Sequence, residues 1–231
     1  MRLATRVWGD GPRTAVLVHG IMTDSRTWRR VAPAIAEHGY RVVAVDLRGH
    51  GASGATDTYT SDPYTPATLA ADLLDTLPPA PDLAIAHSLG SAALLLAVPG
   101  LRCARAVHCD PAWLRRPRDL DALRAVKHAT WRELRAAHPR WHHDDITDEQ
   151  RALATWDPES VEALLHLPGL PDTAPAVPSL VLLADPSERV PPAEAATLRR
   201  CGWQVRTVDG AGHTVHRDDP AGFLAGLRGW L

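Results

Sequence analysis

The sequence predicts an α/β fold, a mostly parallel sheet of about seven strands with helices on both faces. Three observations predict it. Short apolar runs alternate with longer helical patterns along most of the chain. Several of those runs lack polar alternation, Ala15-Val16-Leu17-Val18 and Leu180-Val181-Leu182-Leu183 among them, as central strands covered on both faces do. One stretch, 112–178, carries helical patterns alone, so a helical insertion divides a core formed by 1–111 and 179–231. The length of 231 residues suits one domain with such an insertion better than two domains.

In chain order, the strand candidates are Leu3 to Trp8, Thr14 to Val18, Arg41 to Val45, Leu83 to Ala86, Arg105 to Cys109, Ser179 to Ala184 and Gln204 to Val208. Helical patterns lie between them near 26–37, 66–77, 89–97, 192–200 and 219–230. Thr65-Pro66 and Pro191-Pro192 read as helix starts, because proline in the first helical position gives up no needed N–H. Inside the insertion, Leu120, Leu123, Val126, Thr130, Leu134 and Ala137 recur at helical spacing and predict one apolar stripe over 119–137. Two further helices are expected at 148–156, behind a Thr147-x-x-Gln150 capping box, and at 158–166, behind Asp157-Pro158.

Composition narrows the function. The 25 Lys+Arg nearly balance 27 Asp+Glu, and no basic cluster stands out, which argues against nucleic acid or an anionic membrane as partner. A small-molecule substrate is the expected partner, and oligomeric state stays open. Lys127 is the one lysine, and the arginine bias reads as GC-rich coding. Cys103, Cys109 and Cys201 are odd in number without CxxC spacing, so reduced thiols and a cytoplasmic compartment are expected. Neither a signal peptide's apolar run at the start nor an apolar stretch of membrane-spanning length is present in the sequence.

The strongest local signal is Ala86-His87-Ser88-Leu89-Gly90, directly after an apolar strand and before the helix-forming run Ser91 to Val98. A serine between small residues at that junction suits a tight turn that projects its hydroxyl above the sheet's carboxyl edge. Serine needs a base to take its proton. Gly210-Ala211-Gly212-His213, after the last strand and before the final helix, brings His213 to the same edge on a glycine-rich loop. His216 reads instead as a surface residue or helix-start neighbour. An oxyanion formed at Ser88 needs two N–H donors, for which the candidates are the backbone amides of Leu89 and of Ile21, in the His19-Gly20-Ile21 turn. His19 itself reads as a packing and hydrogen-bonding residue.

The acid that would orient His213 has three candidates at strand ends: Asp185 as first choice, with Asp110 in Cys109-Asp110-Pro111 and Glu188 as alternatives. His142-His143-Asp144-Asp145 reads as a solvated loop and not a metal site, because adjacent histidines point apart. Trp113, Trp131, Trp141 and Trp156, half of the chain's eight tryptophans, fall in the insertion. Most tryptophans pack into cores, yet one or two of these are expected to line an apolar pocket. The pocket candidates are Met22, His87, Trp113, Trp131 and Trp156.

In these motifs the chain resembles the α/β-hydrolase superfamily: His19-Gly20, Asp46-Leu47-Arg48-Gly49-His50-Gly51-Ala52-Ser53, Ala86-His87-Ser88-Leu89-Gly90 and Gly210-Ala211-Gly212-His213 occur in the family's order. The resemblance implies a nucleophile at Ser88, a base at His213, a structural turn at Asp46 to Ser53, and a helical cap over the site at 112–178. It departs from the pattern in having Ala86 for the elbow's first glycine, in starting the sheet one strand late, and in placing Ser187 where many relatives carry the acid. The expected reaction is cofactor-free hydrolysis of an ester, lactone or thioester of a small, largely apolar substrate. Relatives with such triads also act as carbon–carbon hydrolases, lyases or cyclases, or as ligand receptors. Epoxide hydrolase and dehalogenase chemistry is disfavoured, because those relatives carry a carboxylate where this chain has Ser88.

Overall fold

A computed structural model describes residues 1–54, 64–117 and 119–231. Seven strands form one sheet: β1 (Thr5–Trp8), β2 (Arg13–Val18), β3 (Tyr40–Val45), β4 (Leu83–His87), β5 (Ala106–Cys109), β6 (Ser179–Leu183) and β7 (Gln204–Thr207). Their order is β1-β3-β2-β4-β5-β6-β7, parallel throughout except for β1, which runs antiparallel to β3. Each strand lies within a residue or two of its expected place, because the buried apolar runs that identify central strands are local features.

Side-chain alternation divides each strand between two cores. Val16, Val18, Ala84, Ala86, Val181 and Leu183 face one side, where α2 (Pro66–Thr76), α3 (Ser88–Leu101) and α7 (Pro192–Arg200) contribute Leu69, Leu89 and Leu198. Ala15, Leu17, Leu83, Ile85, Leu180 and Leu182 face the other, against Ile35 of α1 (Ala32–Glu37) and Phe223 of α9 (Pro220–Gly226).

Helix boundaries moved where a local signal outweighed periodicity. The expected helix at 26–37 is a 3₁₀ turn at Ser25–Trp28 followed by α1, since Pro33, lacking an N–H, cannot extend a continuous helix. The expected helix at 119–137 is interrupted. It forms α4 (Leu120–Ala125), a 3₁₀ turn at Val126–His128, and α5 (Trp131–Ala137), which Thr130 caps in a reciprocal box with Glu133. Helix α6 (His143–Thr155) starts five residues before the expected 148. His142 and Asp145 form its cap, not Thr147 and Gln150, and Thr147 lies inside the helix with its hydroxyl donating to the His143 carbonyl at 3.2 Å. The 142–145 run is therefore a helix start and not a solvated loop. Asp145 in it is buried against Arg30, at 3.5 Å. The 158–166 segment is a 3₁₀ helix capped by Asp157 as expected. A short α8 (Val215–Asp218) precedes α9.

The helical segment packs a small core of its own, with Leu134, Trp141, Ile146, Leu153, Trp156 and Val161 gathered over Ile21 and Met22. Ion pairs attach α6 to the α/β layer, Arg29 with Asp148 at 3.2 Å and Arg217 with Glu149 at 2.5 Å.

At Gly90, α3 crosses the end of β2 so closely that a Cβ would lie 2.2 Å from the His19 carbonyl oxygen. Both partners there are backbone, so a Gly90→Ala protein is expected to lose about 2 kcal/mol or more. Thermal unfolding followed by circular dichroism should show Tm lowered by roughly 4–8 °C; an unchanged Tm would contradict this packing.

Candidate active site

Parallel strands bring the loops at their carboxyl ends to one edge of the sheet, where open α/β folds form their sites. Ser88 follows β4, Asp110 follows β5, Asp185 follows β6, and the loop carrying His213 follows β7. Ser88 is at φ +50° and Asp110 at φ +37°, left-handed conformations that non-glycine residues rarely adopt. Met22, at φ +70°, is the third such residue at this edge. Backbone strain of this kind clusters where geometry is over-determined by its surroundings.

The Ser88 hydroxyl donates to His213 Nε2 at 3.0 Å, and His213 Nδ1–H donates to Asp110 Oδ2 at 2.6 Å. The Asp110 side chain is 1 % exposed and that of His213 34 %. Oδ1 of Asp110 accepts the Ser187 hydroxyl at 2.5 Å and the Ala184 N–H at 3.3 Å, so both carboxylate oxygens are held. Ser187 in turn accepts the Val190 N–H at 2.9 Å.

This geometry corrects the first choice of acid. Asp185 is exposed and makes no hydrogen bond to the imidazole among the described residues; it accepts the Gly210 N–H at 3.1 Å and braces the start of the His213 loop. Glu188 is also exposed and makes no hydrogen bond to His213 among the described residues. The turn after β5 aims Asp110 across the sheet edge, and nothing local to the 185–188 segment could have revealed that.

Ile21 lines the same cavity as Ser88, and Leu89 directly follows Ser88 in α3. Leu89 is in the first turn of α3, whose N–H groups have no intrahelical acceptor. A Cβ on Gly20 would lie 3.0 Å from the Ser88 Cβ and 2.8 Å from His87 Nδ1, so only glycine lets the Gly20-Ile21 backbone approach the hydroxyl this closely. His19 accepts the Leu47 N–H at 2.9 Å and donates from Nδ1 to the Gly20 carbonyl at 2.6 Å, bracing that turn. The Asp46 carboxylate accepts the Ala52 N–H within the Asp46 to Ser53 turn and the Ser25 N–H outside it, so the turn is tied both to itself and to the segment after β2.

His87 donates from Nε2 to the His213 carbonyl at 2.9 Å. Burial holds its pKa well below the ordinary histidine value, with the neighbouring His213 and His216 adding to the effect, so it stays uncharged at neutral pH. His216 is not a surface residue: it is fully buried, stacked on Trp28 with ring centroids 4.2 Å apart, and bonded to the Thr27 hydroxyl at 2.7 Å. Its burial likewise holds its pKa well down.

A cavity of about 250 Å³ opens over Ser88 and His213. Met22 and His87 line it as expected, Ile21 joins them, and the roof comes from Leu123, Val126 and Leu134 of the apolar stripe. One of the four tryptophans lines the cavity, as expected, but the named candidates are corrected. Trp141 lines the cavity, whereas Trp113, Trp131 and Trp156 do not. Trp113 is buried in the main core, its ring 5.4 Å from that of Trp203. Trp156 is buried with its N–H on the Ser160 hydroxyl at 2.7 Å, and Trp131 turns toward His143, 5.2 Å between centroids. A helix presents one face to the cavity, so membership of the segment does not decide which ring reaches it. Also unforeseen are Arg189, Arg217, Glu149 and His138 in the lining, the last with its pKa lowered to about 4 by burial. Among the described residues no group of three or more His, Cys, Asp or Glu side chains could hold a metal ion. No helix among them is long and apolar enough to cross a membrane.

A hydroxyl, an imidazole and a buried carboxylate in sequence at the carboxyl edge of a parallel sheet define an α/β protein with a serine-centred site. The chain belongs to the alpha/beta hydrolase family, whose model matches residues 15–226. It is 29 % identical over 257 aligned positions to the N-formylmaleamate deformylase of Pseudomonas putida, covering 97 % of this chain and 90 % of that protein. A match to an epoxide hydrolase of Caballeronia sordidicola, 38 % identical over 86 residues, covers 36 % of this chain and only 25 % of that protein. The crystal structure of the enol-lactonase from Burkholderia xenovorans shares the fold, with a TM-score of 0.76 at 23 % identity over 99 % of this chain and 95 % of that one.

Proposed function

We propose that the protein is a serine hydrolase that cleaves an ester, lactone or thioester of a small substrate through an acyl-enzyme. The observation that carries this reading is the continuous hydrogen-bonded chain from Ser88 through His213 to Asp110 at the floor of the cavity. Ser88 Oγ attacks the substrate carbonyl while its proton passes to His213 Nε2. The resulting oxyanion is held by the N–H groups of Ile21 and Leu89. Collapse breaks the bond to the leaving group, which takes the proton from His213. Water, deprotonated by His213, then attacks the acyl-enzyme and releases the acid with Ser88 restored. Asp110 keeps Nδ1 protonated and stabilises the imidazolium. Residues 112–178 act as the cap that bounds the substrate, with Leu123, Val126, Leu134 and Trp141 as its inner face. No step of this reaction calls for a cofactor.

Amide cleavage is a second reading, favoured by the deformylase whose sequence aligns over 97 % of this chain. The same steps serve it, with an amine taking the proton on leaving. A panel of short-chain esters, lactones, thioesters and N-formyl amides, run alongside mass detection of a fluorophosphonate adduct on Ser88, tests both readings. Labelling with turnover of an ester class is expected. No labelling and no turnover across the panel would overturn them.

Asp110→Asn is expected to lower kcat about 10⁴-fold, since the amide favours the wrong imidazole tautomer. Asp185→Asn, which keeps an acceptor for Gly210, should change kcat by less than about threefold. Equal losses in the two variants, both shown to be folded, would overturn the assignment of Asp110.

A further inference from the structure

The cavity over Ser88 is less apolar than the sequence suggested. Its charged lining consists of Glu149, Arg217 and Arg189. Arg217 and Glu149 neutralise one another: Nη1 of the buried guanidinium bonds Glu149 Oε2 at 2.5 Å, Nη2 lies 3.3 Å from the Thr23 hydroxyl, and the Trp141 ring lies 4.5 Å from its Cζ. Its Nε–H, also buried, has no acceptor among the described residues. Arg189 is half-buried and has no ion pair within 4.0 Å and no hydrogen bond among the described residues. It lies on the wall between the cavity and an outer hollow lined by Asp110, Glu188 and His213, so it stands beside the imidazole. Of the carboxylates in that hollow, Asp110 is committed to His213, Ser187 and Ala184, and Glu188 lies outside the main cavity.

The cavity lining thus carries two guanidinium groups against one carboxylate, and the one without an acid partner among the described residues is Arg189. A wholly apolar substrate would cover Arg189 and leave it without an acceptor, and an unmade hydrogen bond at a charged group taken out of water is costly. A carboxylate supplies acceptor oxygens in the plane that a guanidinium fork matches. We propose that the cavity takes a short acyl substrate bearing a carboxylate away from the scissile carbonyl, with Arg189 pairing that carboxylate; this rests on the serine-hydrolase reading of Ser88. The apolar roof then covers the methylenes between the two groups.

The test compares monomethyl succinate with its uncharged isostere methyl isocaproate in a pH-stat assay, in the intact protein and in Arg189→Gln and Arg189→Lys variants. The charged ester is expected to be favoured in kcat/KM by roughly tenfold, a modest figure because Arg189 is partly solvated. The preference should shrink with added salt. Arg189→Gln should abolish it and Arg189→Lys should retain part of it. Arg217 is a poorer position to vary, since its loss leaves Glu149 unpaired and endangers folding. If both esters turn over without preference, or if Arg189→Gln leaves the ratio unchanged, the anionic substrate class is overturned while the hydrolase reading survives. If neither ester turns over and Ser88 takes no fluorophosphonate, the hydrolase reading falls and this inference with it.

Discussion

Replacing Ser88 with alanine is expected to lower kcat by about four to six orders of magnitude while the protein remains folded. The large loss follows because Ser88 supplies the atom that becomes covalently bonded. A neutral imidazole and two oxyanion donors can still polarise a carbonyl and position water, which leaves a residual rate. Folding should survive because alanine meets the same constraint as serine at φ +50° and removes one half-wet hydrogen bond. Steady-state kinetics on the best ester, with near-native circular dichroism and loss of fluorophosphonate labelling, checks the expectation. Turnover equal to that of the parent protein would eliminate Ser88 as nucleophile. Combining Ser88→Ala with Asp110→Asn should add little, because a base without its nucleophile has no proton to accept.

Mild acid is expected to unfold the protein well above the pH at which its carboxylates protonate. His19, His50, His87, His108 and His216 are all at most 4 % exposed. Burial is the leading cause that lowers the pKa of each, to about 3 for His50 and His108. In the unfolded chain these imidazoles take up protons near the ordinary value of about 6.5. Between that value and their depressed native pKa values, the unfolded state binds more protons than the native state. Their contribution is therefore complete above the unfolded pKa and is lost as pH falls below it. Each group can remove up to about 1.4 kcal/mol per pH unit. The four that lie far below the ordinary value, His50, His87, His108 and His216, together cost roughly 5 kcal/mol between pH 7 and 5.5, comparable with the whole stability of a typical domain at about 5–15 kcal/mol. Guanidinium unfolding at pH 7, 6 and 5.5 should show the midpoint falling steeply, with net proton uptake on unfolding. A midpoint that holds or rises across that window would contradict the neutral burial of these rings.

Much of the site was legible in the sequence. The elbow at Ser88 was visible because a tight strand-to-helix turn demands small residues two positions either side, and Ala86 and Gly90 satisfy it. His213 was visible because Gly210 and Gly212 mark a loop at the correct strand end. The roof of the cavity was half visible. The stripe of Leu123, Val126 and Leu134 announced an apolar face, though not the break at Thr130 that splits it between two helices.

The sequence by itself determined the α/β class, the seven strands, the serine and the imidazole, since alternation, turn sterics and strand-end position act over a few neighbouring residues. Only the tertiary structure decided that Asp110 and not Asp185 meets His213, that Trp141 and not Trp113 or Trp156 reaches the cavity, and that Arg189, unpaired among the described residues, stands beside it. Each of these depends on which way a side chain points across a gap between segments tens of residues apart. Strand order and helix rotation set that direction, and they come from the packing of the whole chain.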